Sequence, residues 1–351
     1  MNEMELLHRL RADLAEPDAD QLDVAEARLV TAIRERCRPA RSVPRIPIRT
    51  ALLTGGVAAA VAAVVLVVGL RAAPKPPDGP TVVPAAVTQV LDRAALAAER
   101  SPELNPRPDQ FILYKSLTMY TMGGVSTAGL EMRYLFRTDR QLWSSVDGKH
   151  DGAVWWKYLT PRPYPGRPLP AQALSDVGKT TLLPIPACMS AGGPEWARHD
   201  YPYLKSLPTD AQGMLAAIRR STGQPSPSDL QVWRAVGSML AESYLPPAQR
   251  AAVFRAAKLI PGVTVVPGAQ DAADRTGVAV ARIDEGTGVR AEIIFDQKTY
   301  LYLGEREFVV DAAKAAAPVG SQISATAELS VTVVDTAPKP PATPKTGSDC
   351  K

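Results

Sequence analysis

The chain has 351 residues and a formal net charge of +4, from 40 Lys and Arg against 36 Asp and Glu. A balance that small gives no basis for a nucleic-acid partner. Its three cysteines, Cys37, Cys188 and Cys350, offer neither a C-x-x-C pair nor metal-ligand spacing.

Residues 3–14 place Met4, Leu7, Leu10 and Leu14 on one helical stripe, and Glu16-Pro17 ends it. Asp20 can cap a second helix, on which Leu22, Ala25, Leu29 and Ile33 recur at helical spacing. Pro39, Pro44 and Pro47 then favour extended chain. Two helices of this size cannot bury a core alone. Either Leu7, Leu10, Leu14, Leu22, Leu29 and Ile33 bind a partner, or the segment is a solvated tail. Eight acidic residues lie between Glu3 and Glu26, a charge suited to a basic surface such as that of a DNA-binding protein. A zinc-type anti-sigma domain would need a His with a C-x-x-C, which His8 and Cys37 do not supply.

Residues 50–70, TALLTGGVAAAVAAVVLVVGL, carry no charge, and Arg49 and Arg71 close the run. As a helix it spans roughly 31 Å, the thickness of a bilayer core. Thr50 and Thr54 are its only polar residues, and their hydroxyls can bond back to helix carbonyls. A buried soluble helix would keep polar positions, and a signal peptide is shorter and nearer the chain start, so the expectation is an uncleaved anchor. Arg34, Arg36, Arg38, Arg41, Arg45 and Arg49 precede the span, whereas only Arg71 and Lys75 follow closely. The positive-inside rule puts residues 1–49 in the cytoplasm and the remainder outside. Cys188 and Cys350 then share an oxidising space in which they could pair, or stay free.

Residues 71–84 are a Pro- and Gly-rich spacer, and 85–99 read as a helix with Val87, Val90, Leu91 and Leu96 on its apolar side. All twenty aromatic residues lie between Phe111 and Phe308, so the packed core belongs there. Strands are expected at 111–122, 131–138, 141–146 and 153–159, with turns at Asp139-Arg140 and Asp147-Gly148. Trp155 and Trp156 must point to opposite faces. Trp156 shares its side with Val154 and Tyr158, a core pattern. Trp155 shares its side with Lys157, and either lines a ligand groove or lies under a helical layer. Residues 160–208 read as proline-rich loop. Asp210, Ser228 and Pro247 then start three helices, running to Arg220, over 229–245 and over 247–259. A second meander follows at 263–266, 277–283, 289–295, 300–308 and 324–335. Its last strand alternates Ala327, Leu329, Val331 and Val333 against Glu328, Ser330 and Thr332. The tail from Ala337 is rich in Pro and Lys and reads as disordered.

The architecture is therefore α+β: a single transmembrane helix followed by an extracytoplasmic antiparallel β-meander domain, a curved half-barrel, with a helical layer. Its parts are a cytoplasmic segment (1–49), the span (50–70), the linker (71–84), the outer domain (85–336) and the tail (337–351). No chemistry stands out. His150-Asp151 and His199-Asp200 are sequence neighbours that point apart in extended chain, and there is no G-x-S-x-G, H-E-x-x-H, P-loop or G-x-G-x-x-G. The expectation is a protein that is not an enzyme and carries no cofactor or metal.

Several stretches resemble an actinobacterial family of single-pass membrane proteins. They are Glu5-Leu6-Leu7-His8-Arg9-Leu10-Arg11-Ala12-Asp13, Ala25-Glu26-Ala27-Arg28-Leu29, Leu259-Ile260-Pro261-Gly262-Val263, Asp274-Arg275-Thr276-Gly277-Val278-Ala279-Val280 and Glu292-Ile293-Ile294-Phe295-Asp296-Gln297-Lys298-Thr299-Tyr300. Members are often encoded beside extracytoplasmic-function sigma factors, and their motifs carry no known chemistry. The resemblance implies an anti-sigma-like envelope regulator or sensor, with a sigma factor or another cytoplasmic protein as its inner partner. The outer domain also resembles the half-barrels of lipoprotein carriers and of periplasmic regulators of anti-sigma factors, at the level of fold. The alternative is an anchored binder of apolar ligands or lipids, with Trp155 in its groove and no inner partner.

Overall fold

The computed structural model describes residues 84–125, 131–187, 195 and 198–341. Contacts divide the chain between Ala73 and Pro74, and only the second unit contains described residues. The amphipathic helices over residues 3–36, the span over 50–70, Arg45, Arg49, Arg71, Cys188 and Cys350 all lie outside them. Among the described residues no helix is long and apolar enough to cross a membrane.

The first described helix, α1, is Pro84–Arg100. Three long strands follow: β1 (Phe111–Val125), β2 (Glu131–Ser145) and β3 (Gly152–Pro163). A 3-10 turn at Ala171–Leu174 leads to β4 (Thr180–Ile185). The helical block is α2 (Tyr201–Ser206), α3 (Ala211–Ser221), α4 (Asp229–Glu242) and α5 (Pro247–Ala257). Strands β5 (Thr264–Gln270), β6 (Thr276–Asp284), β7 (Val289–Asp296) and β8 (Tyr302–Val309) come next. A single turn, α6 (Ala312–Ala315), precedes β9 (Gln322–Val334).

The nine strands of the described residues form one antiparallel sheet in the order β4-β3-β2-β1-β9-β8-β7-β6-β5. The first meander runs outward from the centre to β4, the second starts at the opposite edge with β5 and runs inward, and its last strand, β9, pairs with β1. Both edge strands carry a proline, Pro184 in β4 and Pro267 in β5. A proline there removes a ladder donor and discourages pairing with another chain.

Local chemistry sets the helix starts. Asp210 accepts a hydrogen bond from the Gly213 N–H at 2.8 Å. Pro247 occupies the first turn of α5, where no N–H is needed. Ser228 and Gln231 form a reciprocal capping box: Gln231 N–H donates to Ser228 Oγ at 3.3 Å and Ser228 N–H donates to Gln231 Oε1 at 2.8 Å. Ser228→Ala is expected to cost about 1 kcal/mol of stability, read as a shifted midpoint in urea at an unchanged slope; an unmoved midpoint refutes that role for the cap.

The helical layer lies on the β5–β8 side of the sheet. Its core joins Leu91, Ile218, Trp233 and Phe254 to Ile293 and Phe295, all at most 3 % exposed. Phe254 meets Phe295 edge-on at 5.2 Å. A smaller cluster lies at one end of β1–β3, where Tyr201 and Tyr244 stack at 5.8 Å over a patch that includes Ile112, Tyr114 and Leu142. The opposite face of the sheet holds a separate cluster with Met119, Leu135, Tyr164 and Val309. On that face Glu292 is 1 % exposed and pairs with Arg290 at 2.6 Å and Arg306 at 2.7 Å.

Three expectations need correction. No turn occurs at Asp139-Arg140: β2 runs unbroken from Glu131 to Ser145, and both residues sit in mid-strand ladders. The stretch 160–208 holds the end of β3, the 3-10 turn at Ala171–Leu174, β4 and α2. The face alternation of β9 breaks at a bulge, where Lys115 pairs with Ser330 and Ser116 with Glu328, leaving Leu329 unpaired. Val331 and Val333 therefore pack beside Tyr114 and Ile112, while Leu329 is 46 % exposed.

Candidate functional site

Directly paired residues of neighbouring strands share a face. On the helix-facing side this gives cross-strand rows that can be followed across the sheet. One row is Thr326–Thr118–Thr138–Tyr158 and the next is Glu328–Ser116–Arg140–Trp156. Tyr120 opposite Phe136 continues the same face. Phe136 meets Tyr158 at 5.5 Å and Trp156 meets Tyr158 at 6.5 Å, both edge to face. Tyr120 and Met122 are 44 % and 41 % exposed. This strip is the part of the helix-facing surface that the helical layer leaves open.

One ion pair marks its boundary. Arg140, in the middle of β2, grips Glu242 at the end of α4 through two hydrogen bonds, of 3.1 and 2.9 Å. The bidentate geometry fixes the helix end against the sheet. On either side of Arg140 in its row, the Ser116 hydroxyl oxygen and the Trp156 indole N–H are buried and make no hydrogen bond among the described residues. Buried polar groups are nearly always paired, so two orphans in one row call for an explanation.

Beneath α4 the strip runs into a cavity of about 340 Å³ that Tyr120, Gly237, Glu242, Glu305, Glu307 and Ser324 help to line. Gly237 lies mid-helix, where glycine costs about 1 kcal/mol against alanine. The reason is close approach: a Cβ there would stand 2.9 Å from Glu305 Oε1. The nearby cation Arg234 is engaged with Asp284 at 3.0 Å, and Arg306 points to the opposite face of β8, where it pairs with Glu292 at 2.7 Å. Glu305 is left with a hydrogen bond from the Tyr302 hydroxyl at 3.3 Å. Burial, reinforced by the Glu307 and Glu242 carboxylates, pushes Glu305 up to about 7. Burial also raises Glu307. Among the described residues the cavity thus holds two carboxyl groups that form no ion pair, Glu307 with Arg234 near enough to oppose its rise and Glu305 half-protonated near neutral pH.

A water-sized neck of about 20 Å³, lined in part by Tyr114, Ser116, Tyr302 and Glu328, adjoins this cavity. Beyond it a cleft of about 500 Å³ opens between α1, α5 and the turn after β7, walled by Ala94, Ala98, Leu245, Phe254, Leu303 and Val331. Leu301 and Leu329 are 47 % and 46 % exposed at its rim.

The structure separates the two tryptophans as alternation requires, and it is Trp156 that shares the face of the cavity. Trp155 is half-buried on the other side, paired with Gln141 and Leu182. The carboxyl pair and the neck carry no motif and went unnoticed in the sequence. The one usable signal was the i, i+2 spacing of Glu305 and Glu307, which puts both acids on one face; Tyr302 joins them only through the register shift opposite Ile294 and Phe295, which a period of two does not show. Of the described histidines, His150 Nδ1 lies 3.1 Å from Asp147 Oδ1, and His199 Nδ1 lies 3.0 Å from Ser243 Oγ. Asp151 and Asp200 are used elsewhere, accepting from the Ala187 N–H and from Arg198 and the Tyr203 N–H. Among the described residues no group of three His, Cys, Asp or Glu side chains could hold a metal ion.

No family model and no curated protein matches the chain. Among solved structures, a DUF1329 family protein from Desulfovibrio piger ATCC 29098 is similar over 64 % of this chain and 73 % of that one, at 10 % identity and a TM-score of 0.17. A likeness that faint carries no argument, and the α+β fold stands on the nine antiparallel strands and their helices.

Proposed function

We propose that the protein is a membrane-anchored, non-enzymatic binding module whose outer domain takes an amphipathic small molecule into the groove between α4 and the open half of the sheet. One observation carries the reading. The helical layer covers the β5–β8 side, so the Phe136–Tyr158–Trp156 strip stays open and runs into a cavity of about 340 Å³. That volume falls in the range of small-molecule sites, and apolar walls with a few convergent polar groups are their usual lining. In this reading the helices over residues 3–36, with Leu7, Leu10, Leu14, Leu22, Leu29 and Ile33, report occupancy to a cytoplasmic protein such as a sigma factor. The support for that arm is the acidic, amphipathic pattern of the segment.

The test uses the full chain in nanodiscs and a dansyl-labelled alkyl amphiphile as probe. Wild type is expected to bind it and to shift its emission to the blue. Phe136→Glu places a charge in the strip and is expected to weaken binding at least tenfold, since burying one large apolar side chain is worth about 1.5–3 kcal/mol. Equal binding by Phe136→Glu and wild type, with both folded by circular dichroism, would sink the groove assignment.

A further inference from the structure

The cavity under α4 and the cleft beside α5 share no lining residue, yet each adjoins the neck between them. Tyr120, Ala241, Glu242 and Thr326 line both the cavity and the neck. Tyr302 and Glu328 line both the neck and the cleft. The three spaces therefore form a series beneath the helices, from the open aromatic strip to the Leu301–Leu329 rim. The bulge at Leu329 sits at the neck: it turns Glu328 and Val331 to the same side, so that β9 lines the neck with Glu328 and the cleft with both. The pair that borders the neck is loose, with Arg250 Nη2 3.4 and 3.5 Å from the Glu328 oxygens. The Ser116 hydroxyl, one of the two orphans, faces this neck.

We propose that the groove is the entrance to a two-chamber passage, and that its ligand is an amphiphile with a single unbranched alkyl chain whose tail passes the Tyr302 neck into the cleft beside α5. The proposal rests on the groove reading above and specifies its ligand. A neck of about 20 Å³ between chambers of about 340 and 500 Å³ selects by cross-section. A flexible chain can thread it with a small swing of the Tyr302 ring, whereas rings and branched chains stay in one chamber. The second chamber suits a tail, because Ala94, Ala98, Leu245, Phe254 and Val331 wall it. The first suits a head that donates hydrogen bonds, such as a hydroxyl or an ammonium. There Arg234 already has a carboxylate partner in Asp284, and Glu305 and Glu307 remain as acceptors.

The experiment measures displacement of the dansyl probe from the full chain in nanodiscs by n-alkyl alcohols and n-alkyl amines, octyl through octadecyl. In wild type each added methylene is expected to tighten binding by about fourfold until the cleft is full. Ser116→Leu narrows the neck without breaking a hydrogen bond, and Ser101→Trp fills the cleft from the partly exposed end of α1. Both variants are expected to stop the gain at a shorter chain than wild type while leaving octyl affinity within twofold. The passage is refuted if the gain ends at the same length in all three proteins. If octyl binding is lost in Phe136→Glu while length dependence ignores both blocking variants, the groove survives and the passage falls. If no alkyl amphiphile displaces or binds at all, both fall together.

Discussion

Replacing Glu305 by Gln is expected to stabilise the protein at pH 8 by about 3 kcal/mol and to leave it nearly unchanged at pH 4. The Glu305 carboxyl is raised from 4.5 to about 7, chiefly by burial. Between those values the folded protein holds a proton that the unfolded chain has released, so stability falls as pH rises through the window. A tenfold difference in proton affinity between the folded and unfolded states is worth about 1.4 kcal/mol, and the loss is complete above the folded value. Glutamine has nearly the same shape and no charge to desolvate, so it removes the penalty at high pH and changes little where Glu305 is already protonated. Glu307, also raised by burial, remains in the variant and adds a slope of the same sign. His199, lowered by burial, acts in the opposite direction below its ordinary 6.5. The difference between wild type and Glu305→Gln cancels the His199 part, whereas Glu307, which repels the Glu305 carboxylate, is relieved in the variant and adds to the difference in the same direction. Urea midpoints at pH 4, 6 and 8 provide the check, and parallel curves would show that Glu305 titrates as an exposed acid. A fold that keeps such a group in a cavity wall retains a local cost beside the proposed ligand site, which is where strongly perturbed acids and bases tend to gather.

How much of this was legible in the sequence depended on how local the signal was. Asp210, Ser228 and Pro247 mark their helix starts because a cap is a contact within one turn. The turn at residues 284–288, between the strands expected at 277–283 and 289–295, is local in the same way: Asp284 accepts from the Gly286 and Thr287 N–H groups, and Gly288 takes a φ of +68°. Asp139-Arg140 mimicked a turn because two charges interrupt an apolar pattern. What keeps Arg140 in a strand is Glu242, about a hundred positions away in the chain. Strand β4 was hidden by Pro184, which an edge strand tolerates and a central one does not. The bulge at Leu329 depends on how β9 registers against β1, and a strict period of two cannot anticipate it. The groove suffers most from this limit. The Trp155–Trp156 pair announced that one ring would face each side, but only the pairing of Trp156 with Arg140, and of Arg140 with α4, shows which side is open.

The buried charge cluster on the other face gives the second large expected effect. Glu292 has no exposed side-chain surface, and Arg290 and Arg306 are only 14 % and 10 % exposed. Both guanidiniums also lie over the Phe308 ring, at 5.9 and 4.5 Å. Removing the central carboxylate leaves two desolvated cations side by side, so Glu292→Ala is expected to cost about 3–5 kcal/mol. A large share of that is the repulsion and poor solvation of what remains, rather than the net worth of the ion pairs. The distinction can be measured. Glu292→Leu combined with Arg306→Met removes one cation and replaces the pair with apolar volume, and is expected to recover at least half of the loss, because well-packed apolar groups often match a buried pair. Arg290 keeps more of its surface and can turn toward water, which is why it is left in place. If the double variant is as unstable as Glu292→Ala, the cluster holds the β7–β8 register by geometry that apolar packing cannot supply. If Glu292→Ala costs less than about 1 kcal/mol, water reaches the cluster freely and the burial assigned to it is wrong. Since Glu305 lies directly opposite Ile293, beside this cluster in the same two strands, the double variant also tests whether the cavity wall keeps its place when its supporting ladder is rebuilt.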